Sequence, residues 1–100
     1  LSYQVRLGER AYEDLADIWT WIASEADVDT ADAYSARLRG FLAKLTDFPR
    51  RGAPRDDLRP GIRSLVFERT IMIFYGLDDS VVTIVRIVHG ARDQAALFET

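Results

Sequence analysis

The chain has no cysteine, one histidine (His89) and one lysine (Lys44) among its 100 residues. Without cysteine there are no disulfides, no thiolate metal ligands and no thiol nucleophile. A single histidine rules out HExxH and Cys/His metal clusters, and neither a glycine-rich phosphate loop nor a GxSxG elbow is present. Neither a metal nor a cofactor is therefore expected. Ser24, Ser35, Ser64 and Ser80 have no flanking pattern of a nucleophile, and His89 would be their only histidine base. No apolar run approaches the ~18 residues that span a bilayer, and the N-terminus lacks the basic and apolar regions of a signal peptide. The expectation is a cytoplasmic protein with no membrane partner. A basic excess is also missing. The formal net charge is −3 and the pI about 5.0, whereas proteins that live on nucleic acid draw affinity from neutralised phosphates.

Against these absences stand a hydrophobic fraction of 48% and a charged fraction of 29%, ordinary values for a globular domain. Residues 1–100 are read as one domain, large enough to bury roughly two-thirds of its unfolded surface. Residues 61–93 hold three runs rich in Val, Ile, Phe and Tyr, separated by Glu68-Arg69 and by Asp78-Asp79-Ser80. Such spacing predicts a three-stranded antiparallel meander. The middle run, Ile71-Met72-Ile73-Phe74-Tyr75, is apolar at every position, so it is expected to be buried on both faces.

The first half supplies the cover. Tyr3, Val5 and Leu7 alternate with Gln4 and Arg6, predicting a short strand. Gly8 is a candidate N-cap, and Ala11, Leu15, Ile18 and Ile22 set a helical stripe over residues 9–26, widened by Tyr12 and Trp19. Trp21 falls on the flank of that stripe. Its two readings are a side chain lying over the neighbouring helix and an aromatic anchor for a partner. Asp29 is the expected second N-cap, with Asp32 completing a capping box. Ala31, Tyr34, Leu38, Phe41 and Leu45 then form a second stripe that Pro49 terminates. Two amphipathic helices joined by a tight break predict an αα-hairpin.

Residues 49–61 are read as a loop. Arg50, Arg51, Arg55, Arg59 and Arg63 crowd this region, either as a solvated rim or as a surface for anions or an acidic partner. A turn at Pro60-Gly61 is expected to bring Arg59 and Arg63 together. Arg86 interrupts an apolar strand and needs an acid or the sheet rim. Glu13 and Asp14, at a helix start, are read as solvated. His89 ends the last strand, and residues 91–98 are long enough for a short terminal helix.

This order of elements resembles the RelE/ParE superfamily of toxin–antitoxin toxins. The resemblance rests on Ala11…Asp14-Leu15…Ile18, on Leu45…Pro49…Gly52, on Leu58-Arg59-Pro60-Gly61-Ile62-Arg63 and on Ile73-Phe74-Tyr75. It is most specific in the block of the form IxRxxHGxRD, from Ile84 to Asp93. These motifs are similar to the ParE branch, with departures at Gly8, Thr70 and Gly76 that thin the basic surface. The resemblance implies an α+β fold of an N-terminal strand, a helical hairpin, a three-stranded meander and a short C-terminal helix. It further implies a non-enzymatic toxin that binds DNA gyrase and is neutralised by a ParD-like antitoxin, with DNA contacted only through that antitoxin. Expected antitoxin contacts are Trp19, Trp21, Ile22, Arg59, Arg63 and Arg86, the arginines pairing with antitoxin acids. Two other readings stand beside this one. A RelE-type ribosome-dependent mRNA endonuclease would draw on Arg63, Arg86, His89 and Arg92; alternatively, a ParE-like protein would bind an antitoxin but have another target. Convergence of Arg63, Arg86 and His89 on one open face would favour the nuclease.

Overall fold

The computed structural model describes residues 2–90 and 93–99. A strand, β1 (Gln4–Leu7), leads into helices α1 (Glu9–Glu25) and α2 (Val28–Ala43) and a single 3-10 turn, Lys44–Thr46. Four more strands follow: β2 (Ala53–Pro54), β3 (Ile62–Phe67), β4 (Ile71–Leu77) and β5 (Val81–His89). A second 3-10 turn, Ala95–Phe98, ends the chain.

The meander is present, but it is the centre of a five-stranded mixed sheet in the order β1-β5-β4-β3-β2. The N-terminal strand runs parallel to β5, with Gln4 opposite Val81 and Leu7 opposite Ile84. The segment expected to be an unbroken loop contributes β2, whose Ala53 and Pro54 face Ser64 and Arg63. Two residues are too few to show a period, and Pro54 is tolerated because an edge strand needs no outward donor. At the β3–β4 turn Glu68 and Arg69 both have positive φ, 47° and 71°, as a primed hairpin turn requires. Asp78 shapes the β4–β5 turn by accepting the Val81 N–H at 3.0 Å.

Burial of β4 on both faces is borne out, since Ile73, Phe74 and Tyr75 are inaccessible to solvent. Each such side chain contributes roughly 1.5–3 kcal/mol relative to exposure. The hairpin covers only one face, where Ala11, Leu15, Leu38, Leu42 and Leu45 pack on Ile71, Ile73, Tyr75, Val82, Ile84 and Ile87. The other face carries Ile62, Phe74 and Val88, and the chain's own tail closes it. Phe98 meets Phe74 edge-on with ring centroids 5.3 Å apart. The expected terminal helix is thus a single 3-10 turn; Ala91 and Arg92 lie outside the described residues.

The hairpin differs from expectation in its corner. Asp27, not Asp29, caps α2, accepting the Thr30 N–H at 2.6 Å. Asp29 sits in the first helical turn, and Asp32 accepts the Trp19 indole N–H at 2.8 Å instead of closing a capping box. Trp19 thereby clamps one helix to the other. Tyr12, assigned to the buried stripe, is 64% exposed, because it lies on the side of α1 turned away from the sheet.

Candidate functional site

Helix α1 and strand β5 share a buried ion pair. Arg86 Nε donates to Asp14 Oδ2 at 2.7 Å and its second guanidinium nitrogen, Nη2, to Oδ1 at 3.0 Å. Both residues are buried, so the carboxylate read as solvated is in fact a core group. The cause is the length of β1, which pairs with β5 only up to Ile84. Beyond that point the Ile87 N–H donates to Asp14 Oδ2 at 3.0 Å. Asp14 therefore neutralises a cation and satisfies a backbone donor together. The paired carboxylate raises the Arg86 pKa above its ordinary value, against the opposing effect of burial.

A second polar knot ties the Pro49 region to the sheet. The Tyr75 hydroxyl donates to the Pro49 carbonyl at 2.8 Å and accepts the Gly52 N–H at 2.8 Å. Burial pushes this hydroxyl's pKa up, while the Gly52 N–H works the other way. A Cβ at Gly52 would lie 2.6 Å from the Tyr75 oxygen, so only glycine fits.

Of the arginine cluster, Arg50, Arg51 and Arg59 are exposed, as in a solvated rim, whereas Arg55 and Arg63 are half-buried. Arg63 donates to the carbonyls of Arg50 and Gly52 at 3.0 and 2.7 Å. Arg55 pairs with Asp57 and donates to Gln94 Oε1 at 2.8 Å. Arg51 stacks over Phe41 and Arg59 over Phe98. These guanidinium groups fasten the loop to the sheet, to α2 and to the tail through carbonyls, acids and ring faces. Arg59 and Arg63 are not brought together. Arg63 faces Tyr75 on the hairpin side, whereas Arg59 covers Phe98 on the other.

Nor do Arg63, Arg86 and His89 converge. Arg63 is opposite Tyr75 and His89 opposite Ile71, roughly 13 Å apart along β4 at the usual rise per residue. The hairpin core fills the face between them, and Arg86 is committed to Asp14. Arg92 lies outside the described residues.

The structure does bring Trp21, Ile22 and His89 together. They line a groove of about 450 Å³ with Asp17, Ile18, Tyr34, Thr70 and Ile71. It opens where the second half of α1 overhangs the start of β4 and the end of β5. Trp21 is 65% exposed, so it does not lie over the neighbouring helix. Trp19 lines a smaller cavity of about 250 Å³ with Tyr12, Leu15 and Arg39. Arg59, Arg63 and Arg86 line neither space. Sequence reasoning missed Asp17, Tyr34 and Ile71 as groove residues. The one signal that could have found any of them is the four-residue spacing of Asp17 and Trp21, which places both on one ridge of the helix.

An α-hairpin laid on one face of a mixed sheet, with an apolar groove at its edge, is the architecture of the RelE/ParE toxin fold. Solved structures share it. A chain of the chromosomal ParDE toxin–antitoxin system from P. aeruginosa superposes with a TM-score of 0.77 at 20% identity, over 87% of this chain and 95% of that one. A chain of the RelBE2 toxin–antitoxin complex from Mycobacterium tuberculosis superposes at 0.65 and 26%, over 89% and 99%. The model of the family described as the ParE toxin of the type II toxin–antitoxin system, parDE, matches residues 5–94, and the chain belongs to that family. Toxin ParE1 of Caulobacter vibrioides is 31% identical over 91 residues, covering 91% of this chain and 93% of that protein. Toxin ParE1 of Mycobacterium tuberculosis is 26% identical over 93 residues, covering 93% and 95%.

Proposed function

We propose that this chain is a toxin that acts by binding, held in check by a ParD-like antitoxin and directed against DNA gyrase in the cytoplasm. The observation that carries the binding reading is the fate of Arg86. The one charge inside the β5 apolar run is held bidentate by Asp14 in the core, and Arg63 and His89 sit at different levels of the sheet. Cleavage of RNA requires a base, an acid and cations gathered around one phosphate. The described residues do not bring Arg63, Arg86 and His89 together in this way. What they offer is an apolar groove with an exposed tryptophan, a shape suited to an amphipathic segment. The antitoxin's segment lies there in this reading, and DNA is reached only through the antitoxin. Gyrase as target rests on membership of the ParE family.

Induction without antitoxin tests the target. Loss of negative supercoiling with DNA damage is the expected outcome, with translation continuing. Rapid translation arrest with cleaved mRNA would instead establish the nuclease, and unimpaired growth would point to another target. The groove is tested by Trp21→Ala, expected to weaken binding of the antitoxin encoded beside this gene by more than ~1 kcal/mol. Unchanged affinity would remove Trp21 from the interface.

A further inference from the structure

Outside its core-facing stripe, α1 carries a second row. Glu13, Asp17, Trp21 and Glu25 recur at four-residue spacing and all four are exposed. This spacing stacks them on one ridge of the helix. The ridge borders the groove, since Asp17 and Trp21 are both among its lining residues. Arg10 lies 3.5 Å from Glu13. Asp17 and Glu25 have no ion-pair partner among the described residues. Glu25 is set against its own helix, for it stands in the last turn, where the dipole favours a cation and no basic residue is present. Asp27 and Asp29 follow at the corner. The groove lining itself holds no arginine or lysine. Arg37, stacked on Tyr34, is bound to Glu68 at 2.8 Å, and Arg69 in the β3–β4 turn is not among the lining residues.

We propose that the segment filling this groove is amphipathic and cationic. Its apolar side chains pack on Ile18, Trp21, Ile22 and Ile71, and its lysines or arginines meet Asp17 and Glu25. The inference rests on the reading of the groove as the antitoxin site, and it reverses the charge expected when Arg59, Arg63 and Arg86 were assigned to that interface. Asp17 and Glu25 are two helical turns apart, about 12 Å along the axis. A partner helix aligned with α1 therefore presents two basic residues at a similar separation. Uncompensated carboxylates beside an apolar surface select such a partner, speed its approach and disfavour acidic competitors.

The test uses two synthetic amphipathic peptides with the same apolar face, one carrying lysine and the other glutamate at two positions two turns apart. Each is titrated against the full chain bearing Trp19→Phe, in which emission reports Trp21 alone, there being two tryptophans. Calorimetry on the unsubstituted protein provides a second measurement. The lysine peptide is expected to bind at least about tenfold tighter at low salt, an advantage that shrinks as salt screens the pairs. The double substitution Asp17→Lys, Glu25→Lys is expected to invert the preference. Equal binding, or tighter binding of the glutamate peptide, overturns the charge inference while leaving the groove as a docking site. If neither peptide alters Trp21 emission or releases heat, both the charge inference and the groove reading fall.

Discussion

At the scale of single residues, the weight falls on side chains that answer two needs together. Asp14 neutralises Arg86 and accepts the Ile87 N–H. Removing it leaves a buried guanidinium and a buried backbone donor without partners. Asp14→Ala is expected to cost about 3 kcal/mol, read as a lowered urea midpoint. Asp14→Asn retains an acceptor for Ile87 and is expected to cost less; equal losses would mean that the charge carries the whole effect and the acceptor for Ile87 none of it. Tyr75 is the second such residue. Tyr75→Phe strands the Gly52 N–H and the Pro49 carbonyl, an expected loss of about 1–3 kcal/mol. Gly52→Ala is expected to lose at least as much, because its Cβ would lie 2.6 Å from the Tyr75 oxygen. An alanine variant as stable as the parent would show that the loop yields freely. Of these features, the need of Arg86 for a partner was legible in the chain. The partner's identity was not, since Asp14 is 72 positions away and stands at a helix start where acids are ordinarily solvated.

At the scale of elements, legibility followed the strength of each period. Both helices and the three long strands declared themselves through stripes and apolar runs. The tail was legible as a short helical segment but not as a single 3-10 turn, because its cause is tertiary: Phe98 packs on Phe74 at the face of the sheet away from the hairpin. Groove and ridge fall between these cases. The spacing of Glu13, Asp17, Trp21 and Glu25 is visible in the chain, but its meaning needed the sheet to end short of Trp21. The β3–β4 turn offers a prediction of its own. Glu68 and Arg69 hold positive φ without being glycine, which strains an L-residue by roughly 1–2 kcal/mol. Arg69→Gly should relieve part of that strain, offset by the added freedom of the unfolded chain. The expected net is a gain of about 0.5–1 kcal/mol in urea unfolding. A loss would mean that the Arg69 side chain makes a contact worth more than the strain.

At the scale of the molecule, one sheet serves two cores, so disturbances at separate edges draw on the same cooperative unit. Three carboxylates spread around the structure link that unit to pH. Asp27 is held below its ordinary pKa by Thr30, Asp57 by Arg55 and Glu68 by Arg37. Each releases its proton more readily folded than unfolded. Between their folded and ordinary values the unfolded chain thus binds more protons, and stability falls as pH falls. Their contribution is complete above roughly pH 4.5 and is lost as acid protonates the folded state. All three are exposed, so each effect is small and salt-sensitive. Acid also removes the other negative charges, leaving thirteen lysine and arginine side chains to repel one another. Two causes therefore act in the same direction, and substitution separates them. The triple variant Asp27→Asn, Asp57→Asn, Glu68→Gln is expected to lose stability at pH 7 and to show a shallower decline between pH 5 and 3, followed by urea midpoints. The part of the decline that persists belongs to general repulsion. An unaltered slope would assign the whole of it there, and would show that the N-cap and the two ion pairs do not couple protons to folding.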